Sequence, residues 1–201
     1  VLDGVEVDLC VLTGDYRYRL SGRHEDAAAP MAGIIRHVQA RDGIFGIMGN
    51  HDLATMIAPL ENTRIRMLVN DHTILRRGDD EIQLVGLDDV HAYQPAEEAA
   101  AALAAMPDGF RILLRHSPEL LDEAAAANVS LYLCGHTHGG QICLPGGIPV
   151  MTSIRAPRRY ARGLWRHGDM TGYTTVGVGV SVMPLRFFSK GEVAVITLRR
   201  A

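Results

Sequence analysis

Seven side chains carry the chemistry legible in this sequence: Asp15, Asn50, His51, Asp52, His116, His136 and His138. They stand in short turns rich in glycine: Gly14-Asp15, Gly49-Asn50-His51-Asp52, Arg115-His116 and Gly135-His136-Thr137-His138. A lone histidine is ordinarily a surface or core residue; it is the recurrence of such turns that points to a site. Together these residues offer carboxylate, amide oxygen and imidazole without thiolate, a donor set that suits Mn, Fe, Zn, Co or Ni rather than Ca or Cu(I). Asp15 has two oxygens and could bridge two cations. Two cations about 3.5–4 Å apart form the usual clamp for phosphoester hydrolysis. The glycines let backbone and substrate approach without a Cβ between them.

Each group follows an apolar run of the kind found in strands covered on both faces: Val7 to Asp15, Gly43 to Asp52, Phe110 to Glu119 and Val129 to His138. Helical patterns lie between. Pro30 to Arg41 is periodic and stops at Gly43, and Gln94 to Met106 is alanine-rich with Glu97 and Glu98 early. Ser117-Pro118-Glu119 reads as cap, proline and acidic first turn of a helix reaching about Asn128. His72 to Leu87 reads as a hairpin turning at Gly78-Asp79-Asp80, and "YTTVGVGV" and "EVAVITL" as further strands. Ligands gather at the carboxyl ends of strands in α/β sheets. Four such ends would therefore bring the candidate residues to one place.

These motifs, in this order, resemble the calcineurin-like metallophosphoesterases. "LTGDYRY", "GHTHGGQICLP" and "PLRFFSK" are similar to the bacterial YkuE/YaeI-type phosphodiesterase branch. The resemblance implies an α/β fold, a four-layer αββα sandwich of two mixed sheets, spanning residues 1–201 as one domain. It also implies hydrolysis of a phosphoester, most simply a diester, by water activated at a dinuclear centre. By resemblance, Asp15 bridges the two cations, and Asn50, His116 and His136 complete one site with it. His138 belongs to the other. His51 contacts the phosphate and serves as general acid, and Asp52 orients His51.

One family motif is absent. No Asp-x-His precedes Gly14-Asp15, and "VLDGVEVD" reads as the end of the helix that follows that motif. A βα unit of about 30 residues, including the first strand, is thus expected upstream. One metal site is expected to be weakened. A non-catalytic scaffold or binding module is the alternative reading, although five of the candidate site residues, Asn50, His51, His116, His136 and His138, are intact.

Composition narrows the field. The chain has 201 residues, a net charge of −3 and 47% hydrophobic residues, which suits a globular domain with a sizeable core. No long-range positive field would recruit nucleic acid. No apolar stretch reaches the length of a membrane span. Cys10, Cys134 and Cys143 lack metal-site spacing, and the first two sit in apolar runs. Location reads as cytoplasmic or membrane-associated, with any export signal or anchor lying upstream. Arg155, Arg158, Arg159, Arg162 and Arg166 are interleaved with Tyr160 and Trp165. They form either a solvated loop or an anion-binding wall, with Arg158 and Arg159 contacting substrate phosphate, nucleotide-derived or an anionic lipid headgroup at a membrane surface. Asp88 and Asp89 either support the pocket or cap a loop. His24, His37, His72, His91 and His167 read as ordinary surface positions.

Overall fold

Each apolar run that precedes a candidate ligand forms a strand in the computed structural model, which describes residues 4–17, 28–89, 96–152, 154–181 and 183–200. The first part of the chain contains β1 (Glu6–Val7), β2 (Cys10–Leu12), α1 (Ala28–Ile35), β3 (Gln39–Ala40), β4 (Ile44–Gly46), α2 (Ile57–Glu61) and β5 (Ile65–Met67). Next come β6 (Asp71–Arg77), β7 (Asp80–Gly86), α3 (Ala96–Ala104), β8 (Phe110–Leu114), α4 (Leu121–Ala126) and β9 (Leu131–Cys134). The last elements are β10 (Cys143–Leu144), β11 (Ile148–Pro149), β12 (Gly163–His167) and β13 (Met170–Thr174).

Two sheets dominate. One is parallel, in the order β2-β4-β5, and the other has six strands in the order β12-β13-β9-β8-β7-β6. The larger sheet is mixed: β7, β8, β9 and β13 run parallel, and β6 and β12 pair antiparallel at its edges.

Side-chain alternation along the strands builds three apolar interfaces. Phe45, Ile47 and Leu68 meet Leu84, Ile112, Leu114 and Leu131 between the sheets. On the far face of the smaller sheet, Ile44 and Ile65 pack with Ile35 and Leu60, from α1 and α2. On the far face of the larger sheet, Val85, Leu113 and Tyr132 pack under Ala99, Leu103, Leu121 and Ala124, from α3 and α4. The layers are therefore helix, sheet, sheet, helix: the α/β sandwich expected from the sequence.

Several local expectations change. The "VLDGVEVD" stretch is not a helix end where described, because Glu6–Val7 pairs in parallel with Gln39–Ala40. That pairing also ends α1 earlier than Arg41. Asp3, His24, His91 and Gln94 lie outside the described residues. The helix expected from Ser117 starts only at Leu121. Leu120 takes a left-handed conformation (φ 57°), and the buried Ser117 hydroxyl donates to Asp89 at 3.0 Å instead of capping. "EVAVITL" forms no strand. Its alternation suits a pleat, but no ladder partner meets it among the described residues, and Val193 and Val195 stay exposed.

Candidate metal centre

Strand phase aims the candidate residues. Ile112 and Leu114 face the other sheet, and His116, two residues on, keeps that direction as β8 ends. Phe45 and Ile47 do the same from β4, which brings Gly49 inward. An added Cβ at Gly49 would lie 2.6 Å from the Asp15 backbone nitrogen and 2.8 Å from His116 Cε1. At Gly14 (φ +90°) it would lie 2.5 Å from the Gly49 nitrogen. Glycine at these two positions lets the turns after β2 and β4 touch.

The cluster itself is tight. Ligand atoms of Asp15, His116 and His136 all lie within 4.8 Å of one another. His116 Nε2 is 3.2 Å from Asp15 Oδ2, 3.1 Å from Asn50 Oδ1 and 3.1 Å from His136 Nδ1. The two imidazole rings meet edge to face, with centroids 4.9 Å apart. His116 Nδ1 lies 2.6 Å from the Thr13 carbonyl oxygen, so the ring donates there and leaves the Nε2 lone pair facing the cluster. A lone pair on that nitrogen cannot satisfy the Asp15 and Asn50 oxygens, which are themselves acceptors. A cation among them could, and the imidazole, carboxylate and amide donors fit a first-row divalent ion.

Asp15, His136 and His138 have φ of 60°, 65° and 50°. Aspartate and histidine tolerate this left-handed region better than most residues, yet it remains uncommon outside glycine, and such conformations concentrate at functional sites.

Asp52 holds the turns together. Its carboxylate accepts from the backbone N–H groups of Asp15 (2.7 Å), Tyr16 (2.8 Å) and Gly49 (2.8 Å). The expectation that it orients His51 missed this wider role, because hydrogen bonds to backbone leave no sequence signature. His51 is half-buried; its N–H donates to Asp15 Oδ1 at 2.9 Å, and Arg17 donates to its carbonyl.

The electrostatics follow from this packing. Burial alone would raise the Asp15 pKa, but His116 and His51 hold it down to about 2. Burial would lower His116, but the Asp15 carboxylate and the Thr13 carbonyl raise it. Burial pushes Asp52 up to about 6, with the Asp15 charge adding to the shift. Burial, then the Arg186 charge, takes His138 down to about 4, which leaves its ring neutral and able to bind metal.

Arg186 was not singled out from the sequence. Its guanidinium donates to the carbonyls of His138 (3.1 Å), Val176 (2.6 Å), Gly177 (3.2 Å) and Gly179 (2.8 Å). It thereby ties the His138 turn to the segment after β13. Only its place in "PLRFFSK" could have flagged it.

Arg158 and Arg159 were expected either in a solvated loop or in an anion-binding wall. Both are exposed, and Arg159 lies over the Tyr160 ring, 4.5 Å from its centroid, donating to the Tyr160 hydroxyl. Among the described residues, no hydrogen bond or ion pair joins either to the cluster. Arg159 instead has the buried Tyr160 as its partner.

The calcineurin-like phosphoesterase family model matches residues 1–140. The metallophosphoesterase YkuE of Bacillus subtilis (strain 168) is 32% identical over 96% of this chain and 68% of its own. Phosphodiesterase YaeI of Escherichia coli (strain K12) is 31% identical over 95% of this chain and 70% of its own. Among solved structures, the NAD nucleotidase of Haemophilus influenzae superposes with a TM-score of 0.50 at 14% identity, covering 90% of this chain and 41% of that one, a likeness of fold. With the family model spanning more than half the sequence, this chain belongs to the calcineurin-like phosphoesterases, metal-dependent hydrolases of phosphoric esters.

Proposed function

We propose that this protein hydrolyses a phosphodiester at a dinuclear metal centre built on Asp15. The supporting observation is the convergence of Asp15, His116 and His136, from three separate strand ends, within 4.8 Å. The phosphodiesterase name of the 31% identical YaeI supports a diester as substrate. In this reading Asp15, Asn50, His116 and His136 hold one cation, and Asp15 and His138 hold the second, with fewer protein ligands. Bound divalent cations supply water activation and neutralise the charge that develops on the phosphoryl oxygens. The Thr13 carbonyl fixes the His116 tautomer, and Asp52 fixes the turns that carry Asp15 and Asn50. His51, beside the Asp15 carboxylate, is assigned as the general acid that protonates the leaving alkoxide oxygen.

The test is turnover of bis(p-nitrophenyl) phosphate with added Mn²⁺, alongside metal analysis of the purified chain. The expected result is diester cleavage and bound first-row metal, with Asp15→Asn and His116→Gln losing both. A folded chain that binds metal but cleaves only monoesters would overturn the diester assignment. A chain that neither binds metal nor turns over would be a scaffold.

A further inference from the structure

Residues 141–151 build a small sheet over the metal-centre turn. In the β10–β11 hairpin, Cys143 pairs with Pro149 and Leu144 with Ile148. Ile142 bridges in parallel to Phe187, and the Val150 N–H donates to the Ile142 carbonyl. Partners across a ladder share a face, and neighbours along a strand alternate. One face therefore carries Cys143 and Pro149. It is turned down: Cys143 is buried with its thiol on the Gly139 carbonyl, and an added Cβ at Gly140 would strike Pro149 Cβ at 2.5 Å.

The opposite face carries Leu144, Ile148, Val150 and Phe187, exposed by 54%, 57%, 56% and 55%. Phe188, 53% exposed, stacks edge-on against Phe187 with centroids 4.5 Å apart. Singly exposed apolar side chains are normal, but four on one face with a fifth stacked against them mark an interaction surface.

Charge indicates what covers it. The two segments that form the face, residues 141–151 and 183–190, hold no acidic side chain, and the second ends in the exposed Lys190. Arg162 is exposed and donates to the Gly147 carbonyl at the hairpin tip, 2.8 Å away. An apolar face free of acidic side chains, with Arg162 at its tip, matches the two attractions of a bilayer surface: a hydrophobic boundary and anionic headgroups. Among the described residues no helix is long and apolar enough to cross a membrane.

We propose that the β10–β11 face, with Phe187 and Phe188, docks this protein on an anionic phospholipid bilayer and so holds the metal-centre turn at the membrane surface. The docking is independent of which ester is cleaved.

The test is cosedimentation of the chain with phosphatidylcholine vesicles, with and without phosphatidylglycerol. We expect binding only where phosphatidylglycerol is present, weakening as salt rises. Leu144→Ser/Ile148→Ser should reduce that binding by about tenfold or more, with unchanged circular dichroism and unchanged turnover of a soluble diester. The milder Leu144→Ala/Ile148→Ala, whose side chains stay apolar, serves if the serine variant misfolds, and should lower binding in the same direction. Absence of vesicle binding, equal binding to both vesicle types, or full binding by the folded double variants would each overturn the proposal. So would a wild-type dimer that the double variant dissociates without any vesicle binding, since the face would then join two copies. Loss of diester turnover with docking intact would count against the proposed function alone.

Discussion

The residue that ties the metal centre together is not a candidate ligand. Asp52 is fully buried and accepts three backbone N–H groups from two turns. Asn in its place keeps the shape but turns an amide N–H₂ toward one of those donors. Leaving a buried donor unsatisfied costs about 1–3 kcal/mol. Asp52→Asn should therefore lower the urea midpoint by about that free energy and weaken metal binding as well. His51→Ala should lower turnover with little change in the midpoint, since the hydrogen bonds of His51 to Asp15 and Arg17 run through its backbone. A midpoint for Asp52→Asn equal to wild type would remove the clamp from this account. Gly49 makes a steric test of the same site. Its Cβ would press on Asp15 and His116, so Gly49→Ala should lose metal affinity by tenfold or more (about 1.4 kcal/mol), read by metal titration calorimetry.

At the scale of elements, strands place the ligands and the connecting segments secure them. Among its described residues the segment after β13 forms no helix or strand beyond the bridge at Phe187, yet three side chains moor it. Gln141 exchanges hydrogen bonds with Ser181, Arg186 grips the carbonyls around His138, and Glu192 accepts from the Val176 N–H. His138 sits in a single turn with a left-handed backbone, so its position depends on these ties. Arg186→Gln should free this segment and disturb His138 more than His116, whose direction is set by β8. The expected outcome is faster proteolysis after residue 174. Metal content should fall at the weaker site while the stronger one is retained. If Arg186→Gln leaves both proteolysis and metal content unchanged, the segment is held by something other than the guanidinium.

Across the whole molecule, the sequence revealed what repeats and hid what closes on itself. The four strand-end turns were legible because each combined an apolar run, a glycine and a polar residue, and the layer order was implied by the family resemblance those turns carry. The Asp52 clamp, the Arg159–Tyr160 pairing and the mooring of His138 were not, because each depends on which backbone or ring lies nearby in space. Pairing likewise decided the ends: a strand pattern at Val193–Leu198 forms none without a neighbour, while Glu6–Val7 becomes a strand because Gln39–Ala40 meets it. The pH dependence of the metal-free protein tests the assembled site as one system. Asp15 and His138 have lowered pKa values, about 2 and about 4. Each adds stability that is present above its unfolded pKa and is lost as pH falls through its folded one. Asp52, raised to about 6, works in reverse: its contribution is present at low pH and is lost as pH rises through 6. Between the ordinary histidine pKa of about 6.5 and about 4, His138 and Asp52 therefore oppose each other. Removing one should expose the other. In EDTA-treated protein, the urea midpoint of His138→Asn relative to wild type should rise as pH falls through this window. That of Asp52→Asn relative to wild type should fall over the same range. Parallel pH profiles for wild type and both variants would mean that neither group senses the buried cluster as the packing of His116, Asp15 and Arg186 requires.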